Sequence, residues 1–433
     1  MTQRLLLGQT LSFTADPFKT DWQSTVDFES EGAVLIGDGR IAAHGPARNL
    51  RQAFPQAQVV DYGDKLIIAG FVDAHMHYPQ TAMIASWGKQ LIDWLNTYTF
   101  PEESRFHDAV YATDIAGRTL DLALAHGTTT QASFCTIHPQ SVDAFFNAAA
   151  TRNMAVVSGK TCMDRNAPDT LRDTAQSAYD DSKRLLEKWD RRGRARYAIT
   201  PRFSPTSTPE QLHALGALWA EHPDCLMQTH LSEQHPEIAW VKELFPQARD
   251  YLDTYEATGL LGRNGIYGHA IHLEPREIDR LAEVGAAVVH CPTSNAFIGS
   301  GLFDLMGLAQ TKIRVGLATD TGGGSSFSML RTMAAAYEIA QLRGVAVHPA
   351  QLLWLATVGS AQTLGLQNEI GNIAVGSMAD ITVLDLASTP AIAQRHSRAS
   401  DIWDAVFPTI MMGDDRAISD VWVAGERVSQ PTQ

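Results

Sequence analysis

Eight runs of strand-type residues, separated by segments of helical periodicity, constrain the fold of this chain more than any other feature. The runs lie at 66–77, 128–134, 154–163, 196–203, 225–233, 265–272, 286–293 and 313–320. Between them, stretches such as Asp108 to Ala125, Gln140 to Arg152, Leu171 to Trp189, Pro209 to Glu221, Pro275 to Val284 and Met329 to Leu342 repeat apolar residues every three to four positions. Strand and helix in strict alternation predict an α/β fold with parallel strands joined by helical crossovers. Eight such units predict a (β/α)8 TIM-like barrel, in which functional residues emerge from the carboxyl ends of the strands. A doubly wound open sheet is the alternative, but it gives no reason for polar residues to end the first, fifth, sixth and eighth strands.

Those ends carry metal-ligand chemistry. The first strand closes Gly70-Phe-Val-Asp-Ala-His-Met-His77, and side chains spaced i, i+2 on a strand point the same way, so His75 and His77 form half of a metal site. With 15 His in the chain, a chance His-x-His is about an even bet, the risk any short motif carries. The later ends Thr229-His230-Leu231-Ser232-Glu233, Gly268-His269-Ala270 and Thr319-Asp320-Thr321 change that balance. Singly, His230 and His269 read as buried histidines satisfied by backbone groups. Together with His75, His77 and Asp320 they suit Zn²⁺ or Fe²⁺ with an open position for water. Glu233 reads either as a proton shuttle one helical turn beyond His230 or as a first-turn acid complementing a helix dipole. His290-Cys291 also resembles a ligand pair, but adjacent strand residues face opposite sides, and structural roles are expected. Gly322 to Gly324 lacks the Gly-Lys-Ser/Thr of a phosphate loop and reads as a close-approach turn.

Composition narrows the function class. A net charge of -14 opposes binding to a phosphate backbone, so no nucleic-acid partner is expected. No apolar run approaches the ~18 residues of a membrane span, and the first ten residues do not read as a secretory signal; a cytoplasmic enzyme acting on small molecules is expected. Cys135, Cys162, Cys225 and Cys291 are far apart in sequence and read as buried reduced thiols. The absence of any Cys-x-x-Cys excludes the zinc deaminases that bind metal through His-x-Glu and Pro-Cys-x-x-Cys.

Outside the strand-helix array lie short strands of another kind, Ala33 to Gly37 with a turn at Asp38-Gly39-Arg40, then Asp380 to Asp385 and Asp420 to Gly425. Neither terminus has enough strands to bury a face alone. The expected organisation is a small β-sandwich shared between residues 1–65 and 371–433, clasping a catalytic barrel at 66–370.

His-x-His on strand one, His on strands five and six, Asp on strand eight and a split β-sandwich resemble the amidohydrolase superfamily. Within it, the chain resembles the guanine deaminases. The matching stretches include His75-Met-His-Tyr-Pro-Gln80, Leu91-Ile-Asp-Trp-Leu-Asn-Thr-Tyr-Thr-Phe-Pro101, Thr200-Pro-Arg-Phe-Ser204, His290-Cys-Pro-Thr-Ser-Asn295 and Thr319-Asp-Thr-Gly-Gly-Gly-Ser-Ser-Phe-Ser-Met-Leu330. The resemblance implies one Zn²⁺ per chain, with Fe²⁺ second, held by His75, His77, His230 and Asp320. It implies Glu233 as proton shuttle, Asp320 as base as well as ligand, and His269 beside the attacking water. Gln80, Trp94, Arg202 and Phe203 would line a purine site, although Trp94 taken alone reads as core. Members with two metals bridge them by a carboxylated lysine on strand four. Here that strand ends Thr200-Pro201-Arg202-Phe203, which favours a single metal, with Lys160 on strand three the other possible source of a bridge. The implied reaction converts guanine and water to xanthine and ammonia, and Arg202, a donor-only fork, would face O6 while Gln80 could turn its amide to suit either base. Other aminated heterocycles (8-oxoguanine, an adenosine derivative, a pterin, a triazine) are the alternative substrates, and a non-catalytic scaffold of the same fold is the alternative from another class. A homodimer is the expected assembly, which no residue pattern here fixes.

Overall fold

A computed structural model describes residues 3–87 and 91–428; residues 1, 2 and 429–433 of the expected terminal segments lie outside it. The N-terminal residues form β1 (Arg4–Phe13), β2 (Val26–Gly37), β3 (Arg40–Pro46) and β4 (Gln58–Ala69). β2 and β3 make a hairpin because Asp38 and Gly39 both take positive φ, 53° and 75°, the geometry of the tight turn whose twist matches paired strands. The barrel follows as β5 (Phe71–His77), β6 (Thr128–Phe134), β7 (Ala155–Gly159) with its continuation β8 (Thr161–Cys162), β9 (Ala195–Pro201), β10 (Leu226–Leu231), β11 (Gly265–His269), β12 (Ala287–His290) and β13 (Arg314–Leu317). The C-terminal residues add β14 (Ile381–Leu384), β15 (Ile418–Val423) and β16 (Glu426–Arg427).

All eight expected strands are present, paired in parallel in chain order from β5 to β13. The barrel closes where Asp320 N donates to His75 O (2.9 Å) and His77 N donates to Thr321 O (2.6 Å), so the chain just beyond β13 pairs with the end of β5. The helices expected from periodicity surround it. Asp108, for example, accepts the Val110 N–H at 2.8 Å and starts the helix Ala109–Ala125, whose Ala112, Ala116, Leu120 and Ala123 face the strands.

Small and branched side chains fill the barrel interior: Val72, Ala74, Ala132, Val157, Ala198, Ile266, Ala287 and Val289 pack in one cluster. This apolar plug leaves the carboxyl-end face as the place for polar groups. β5 changes phase as it reaches that face. Val72 and Ala74 belong to the interior cluster and Met76 and Tyr78 to the outer one, and the register against β6 shifts between Asp73 and Met76. That irregularity lets His75 and His77 follow Ala74 into the interior, a re-aiming for which β-bulges are used.

The sandwich expected from the termini takes the form of one seven-stranded mixed sheet, ordered β16-β15-β14-β4-β1-β2-β3. Leu6, Val34, Ile67, Ile381 and Trp422 pack on one face, and Leu5, Leu7, Ala33 and Leu35 pack on the other against Leu50 and Phe54 from the region of the helix Ala47–Ala53. Both termini are needed because β4 lies between β1 and β14, so neither part has its neighbours alone. Among the described residues, no helix is long and apolar enough to cross a membrane. A buried ion pair fastens the sheet to the barrel. Arg194, just before β9, bonds both oxygens of Asp380, just before β14, and Asp380 Oδ1 also accepts the Ala424 N–H at 2.8 Å.

Removing the cation would leave the Asp380 carboxylate, 1% exposed, without its ionic partner. Arg194→Met is therefore expected to destabilise the protein by about 3 kcal/mol, the scale for breaking one side of a buried pair. The check is a shift of the unfolding midpoint in urea; an unchanged midpoint would show the sheet held on by apolar packing alone.

Candidate active site

The carboxyl ends of β5, β10, β11 and β13 bring the expected ligands together. Ligand atoms of His75, His77 and His230 all lie within 4.8 Å of one another, and Asp320 Oδ1 stands 3.4 Å from His75 Nε2 and 3.5 Å from His77 Nε2. His77 Nε2 and His230 Nε2 are 3.1 Å apart. Local backbone positions the set. Gly268 gives His75 its room, since a Cβ there would stand 2.9 Å from His75 Cε1. His269 and Asp320 take φ of 65° and 47°, a left-handed conformation uncommon for residues with a Cβ and concentrated at functional sites. The turn after β13 is as tight as its glycines suggest: a Cβ on Gly324 would lie 1.8 Å from Thr319 O.

The electrostatics suit a cation. Burial lowers the pKa of His77 and His230 well below the ordinary histidine range, and the surrounding His75, His269 and Arg202 charges add to this for His77, as do the three neighbouring imidazoles for His230. Neutral imidazole is the form that binds metal. His230 Nδ1 faces Arg202 O at 2.6 Å; donating there leaves the Nε2 lone pair toward the cluster. A purely hydrogen-bonded cluster would leave His75 Nε2 buried and unpaired, whereas a cation facing the imidazoles gives it a partner. Burial opposes charge on Asp320, but the His75 and His269 rings beside it outweigh burial and hold it down to about 2. Glu233 behaves oppositely: burial, with the Asp320 charge, raises its pKa despite His269. Its Oε1 accepts from Ser300 Oγ at 2.8 Å, and its Oε2 stands 3.5 Å from His269 Nε2.

A cleft of about 410 Å³ opens on this cluster, bordered by His77, Gln80, Trp94, Arg202, Phe203 and Glu233 among others. Trp94 packs with Leu91, Leu95 and Phe100, and its buried Nε1 has no hydrogen-bond partner among the described residues. Gln80 Nε2 donates to Glu103 Oε1 at 2.8 Å, and Arg202 Nη1 donates to both Glu103 oxygens at 2.9 and 2.7 Å.

The amidohydrolase family profile matches residues 66–428, and an imidazolonepropionase-like composite domain matches residues 32–57. The chain belongs to the amidohydrolase family. Guanine deaminase of Escherichia coli (strain K12) is 45% identical over 406 residues, spanning 94% of this chain and 92% of the relative. The solved structure of the E. coli guanine deaminase superposes with a TM-score of 0.96, covering 98% of this chain and 99% of that one at 43% identity. The guanine deaminase from C. acetobutylicum, solved with bound guanine in the active site, gives a TM-score of 0.89 at 27% identity, covering 99% of this chain and 100% of that one.

The fold corrects one expectation from the sequence. Glu233 is neither one helical turn beyond His230 nor a first-turn acid: it lies in the loop between β10 and the helix His235–Leu244, and the first-turn acid is Glu237, whose carboxylate accepts the N–H groups of Glu233 and Gln234 at 2.9 and 3.0 Å. Lys160 does not border the cleft. Its ammonium pairs with buried Asp173, and although burial opposes its charge, Cys162 and Asp173 raise its pKa. All four cysteines are free and buried, and Cys291, whose Sγ lies within 4.8 Å of ligand atoms of His75, His269 and Asp320, has its thiol pushed far up by burial.

Several site residues escaped sequence reading. Asp73 accepts from Thr319 N at 3.0 Å and Thr319 Oγ1 at 2.5 Å, tying β5 to the end of β13, and burial pushes its carboxyl up to about 7. Glu103 and Ser300 hold the cleft and Glu233, as described above. Asp73 sits inside the quoted His-x-His motif and could have been suspected, whereas Glu103 follows Glu102 in a Pro-Glu-Glu start that reads as ordinary helix chemistry.

Four ligands with an open position predict about one metal ion per chain by elemental analysis of the purified protein, lost in His77→Ala. Two tightly held ions would overturn this ligand set.

Proposed function

We propose that this chain hydrolyses guanine to xanthine and ammonia in the cytoplasm, using a single divalent ion, Zn²⁺ in first place, held by His75, His77, His230 and Asp320. The observation that carries the reading is the junction of that cluster with a cleft whose polar walls are Arg202 and Gln80. Sequence relatives called guanine deaminases support it over most of the chain, and four buried free thiols suit a reducing compartment. When bound, the ion makes hydroxide available near neutral pH by lowering the pKa of water from ~16 toward ~7.

The protein supplies the proton traffic and the orientation. Attack at C2, flanked by two ring nitrogens, builds negative charge on the ring unless a nitrogen is protonated. Glu233, whose buried carboxyl holds its proton more firmly than usual, is the donor to N3. Asp320, held down to about 2, is the stronger acid of the two and stays ionised, so it accepts the proton of the attacking water and relays it toward the departing amine. His269, beside both carboxylates and hydrogen-bonded through Nδ1 to Asn295 Oδ1 at 2.9 Å, orients the attacking oxygen. Phe203 and Trp94 are the apolar walls against which a purine ring packs.

Two substitutions test the assignment. Glu233→Gln is expected to retain metal and lower kcat by at least ~10²-fold, the scale of general acid-base catalysis; near-native turnover would remove Glu233 from the chemistry.

Arg202→Ala is expected to impair guanine turnover with metal content unchanged. In the unsubstituted enzyme adenine, which presents a donor where Arg202 donates and carries no amino group at C2 to be released, should lose to guanine by at least ~10⁴-fold in kcat/KM. An ammonia-release screen in which adenine, a pterin or a triazine outran guanine would overturn the substrate.

A further inference from the structure

We infer that Glu103 determines which purine edge the cleft accepts, by fixing the polarity of both side chains that read it. The inference rests on the purine reading of the cleft. Glu103 ends the helical segment Phe100–Glu103, is 0% exposed, and is absent from the residues that border the cleft. It acts through two that do. Its carboxylate offers only acceptors. Gln80 Nε2 donates to it at 2.8 Å, and Arg202 Nη1 donates at 2.9 and 2.7 Å.

The consequence for Gln80 is directional. An amide rotated by half a turn would set its oxygen against a buried carboxylate oxygen, acceptor against acceptor, with one hydrogen bond lost and two groups unsatisfied. The amide that sequence reading left free to turn is therefore held one way, and its Oε1, for which the described residues offer no donor, is the atom presented to a ligand. Arg202 is fixed by the same group. With Nη1 committed to Glu103, its Nη2 and Nε remain as donors. The cleft thus displays an acceptor and a donor of set polarity.

A ring edge that carries N–H beside C=O matches that display. Guanine has such an edge at N1 and C6. Adenine and 2,6-diaminopurine reverse it, with a lone pair at N1 and an amino group at C6. Glu103 is accordingly a positioning residue for selectivity, and its removal should relax the polarity without touching the metal ligands.

2,6-Diaminopurine isolates the effect, because it carries the same 2-amino group as guanine and differs at the edge in question. The experiment measures kcat/KM for both substrates on the same preparation, whose ratio does not depend on the fraction of active enzyme. The unsubstituted protein should prefer guanine by several orders of magnitude, on the scale of ~10⁴ for a polar mismatch in a buried site. In Glu103→Gln, whose amide can serve Gln80 as donor or acceptor, the ratio should fall at least ~10-fold, with 2,6-diaminopurine gaining relative to guanine. A merely structural role would lower both substrates together and leave the ratio unchanged, which would overturn the inference. So would an unsubstituted enzyme that takes both equally. Should Glu103→Gln not fold, Gln80→Met removes the fixed acceptor while keeping the Glu103–Arg202 pair; the ratio should again fall, and an unchanged ratio would overturn the inference from the other side. Failure to turn over guanine at all would instead overturn the purine reading on which it rests.

Discussion

His77 Nε2 and His230 Nε2 face each other at 3.1 Å inside a buried cluster that also holds His75 and Asp320. Imidazoles so placed are tolerable when they stay neutral and share a cation, and much of the surrounding structure keeps that condition. Burial and mutual repulsion depress their pKa. The irregular register of β5 turns His75 and His77 inward where plain alternation would continue with Asp73's phase, and Gly268 clears the volume that His75 occupies. The hydrogen bonds that close the barrel, Asp320 N to His75 O and His77 N to Thr321 O, are made by the ligands and their neighbours themselves. Barrel closure and the site thus share the same backbone hydrogen bonds.

The barrel was legible in the sequence because its two periodicities are strong and local: runs such as 128–134 and 313–320 correspond to β6 and β13 within a few residues. The gathering of His75, His77, His230 and Asp320 at one end of the barrel was legible for the same reason, since all four lie at or just beyond the carboxyl ends of parallel strands. What stayed hidden depends on contacts between distant segments. The terminal strands were visible, but their joining into a single sheet follows from β4 pairing with both β1 and β14. Glu233 was named from its spacing to His230, yet its loop position is set by Glu237 capping the next helix. Glu103 could not be read at all, because its partners Gln80 and Arg202 lie 23 and 99 residues away.

The two carboxylates nearest the reacting position are driven apart by their surroundings. Both are buried, but at Asp320 the His75 and His269 imidazoles outweigh burial, whereas at Glu233 burial and the Asp320 charge outweigh His269 and the Ser300 hydroxyl, so one falls to about 2 and the other rises. Such divergence lets one group accept protons while its neighbour donates them. A cation held as proposed would preserve the order, since it would act most strongly on Asp320 and less on Glu233.

Arg202 joins the two halves of the site through different parts of the same residue. Its main-chain oxygen receives His230 Nδ1 at 2.6 Å and the His230 N–H at 3.2 Å, so the peptide fixes the metal ligand's ring and tautomer. Its guanidinium, at the end of a flexible side chain, is held by Glu103 and faces the cleft. Orientation of the His230 ring thus belongs to the backbone of β9's extension and survives a change of side chain, whereas the substrate reading proposed for Arg202 belongs to the side chain and does not. A fold that hosts many chemistries can alter the second without disturbing the first, because the strand ends that carry His75, His77, His230 and Asp320 are set by barrel closure, and the Arg202 and Gln80 side chains are set by a carboxylate on a separate helical segment.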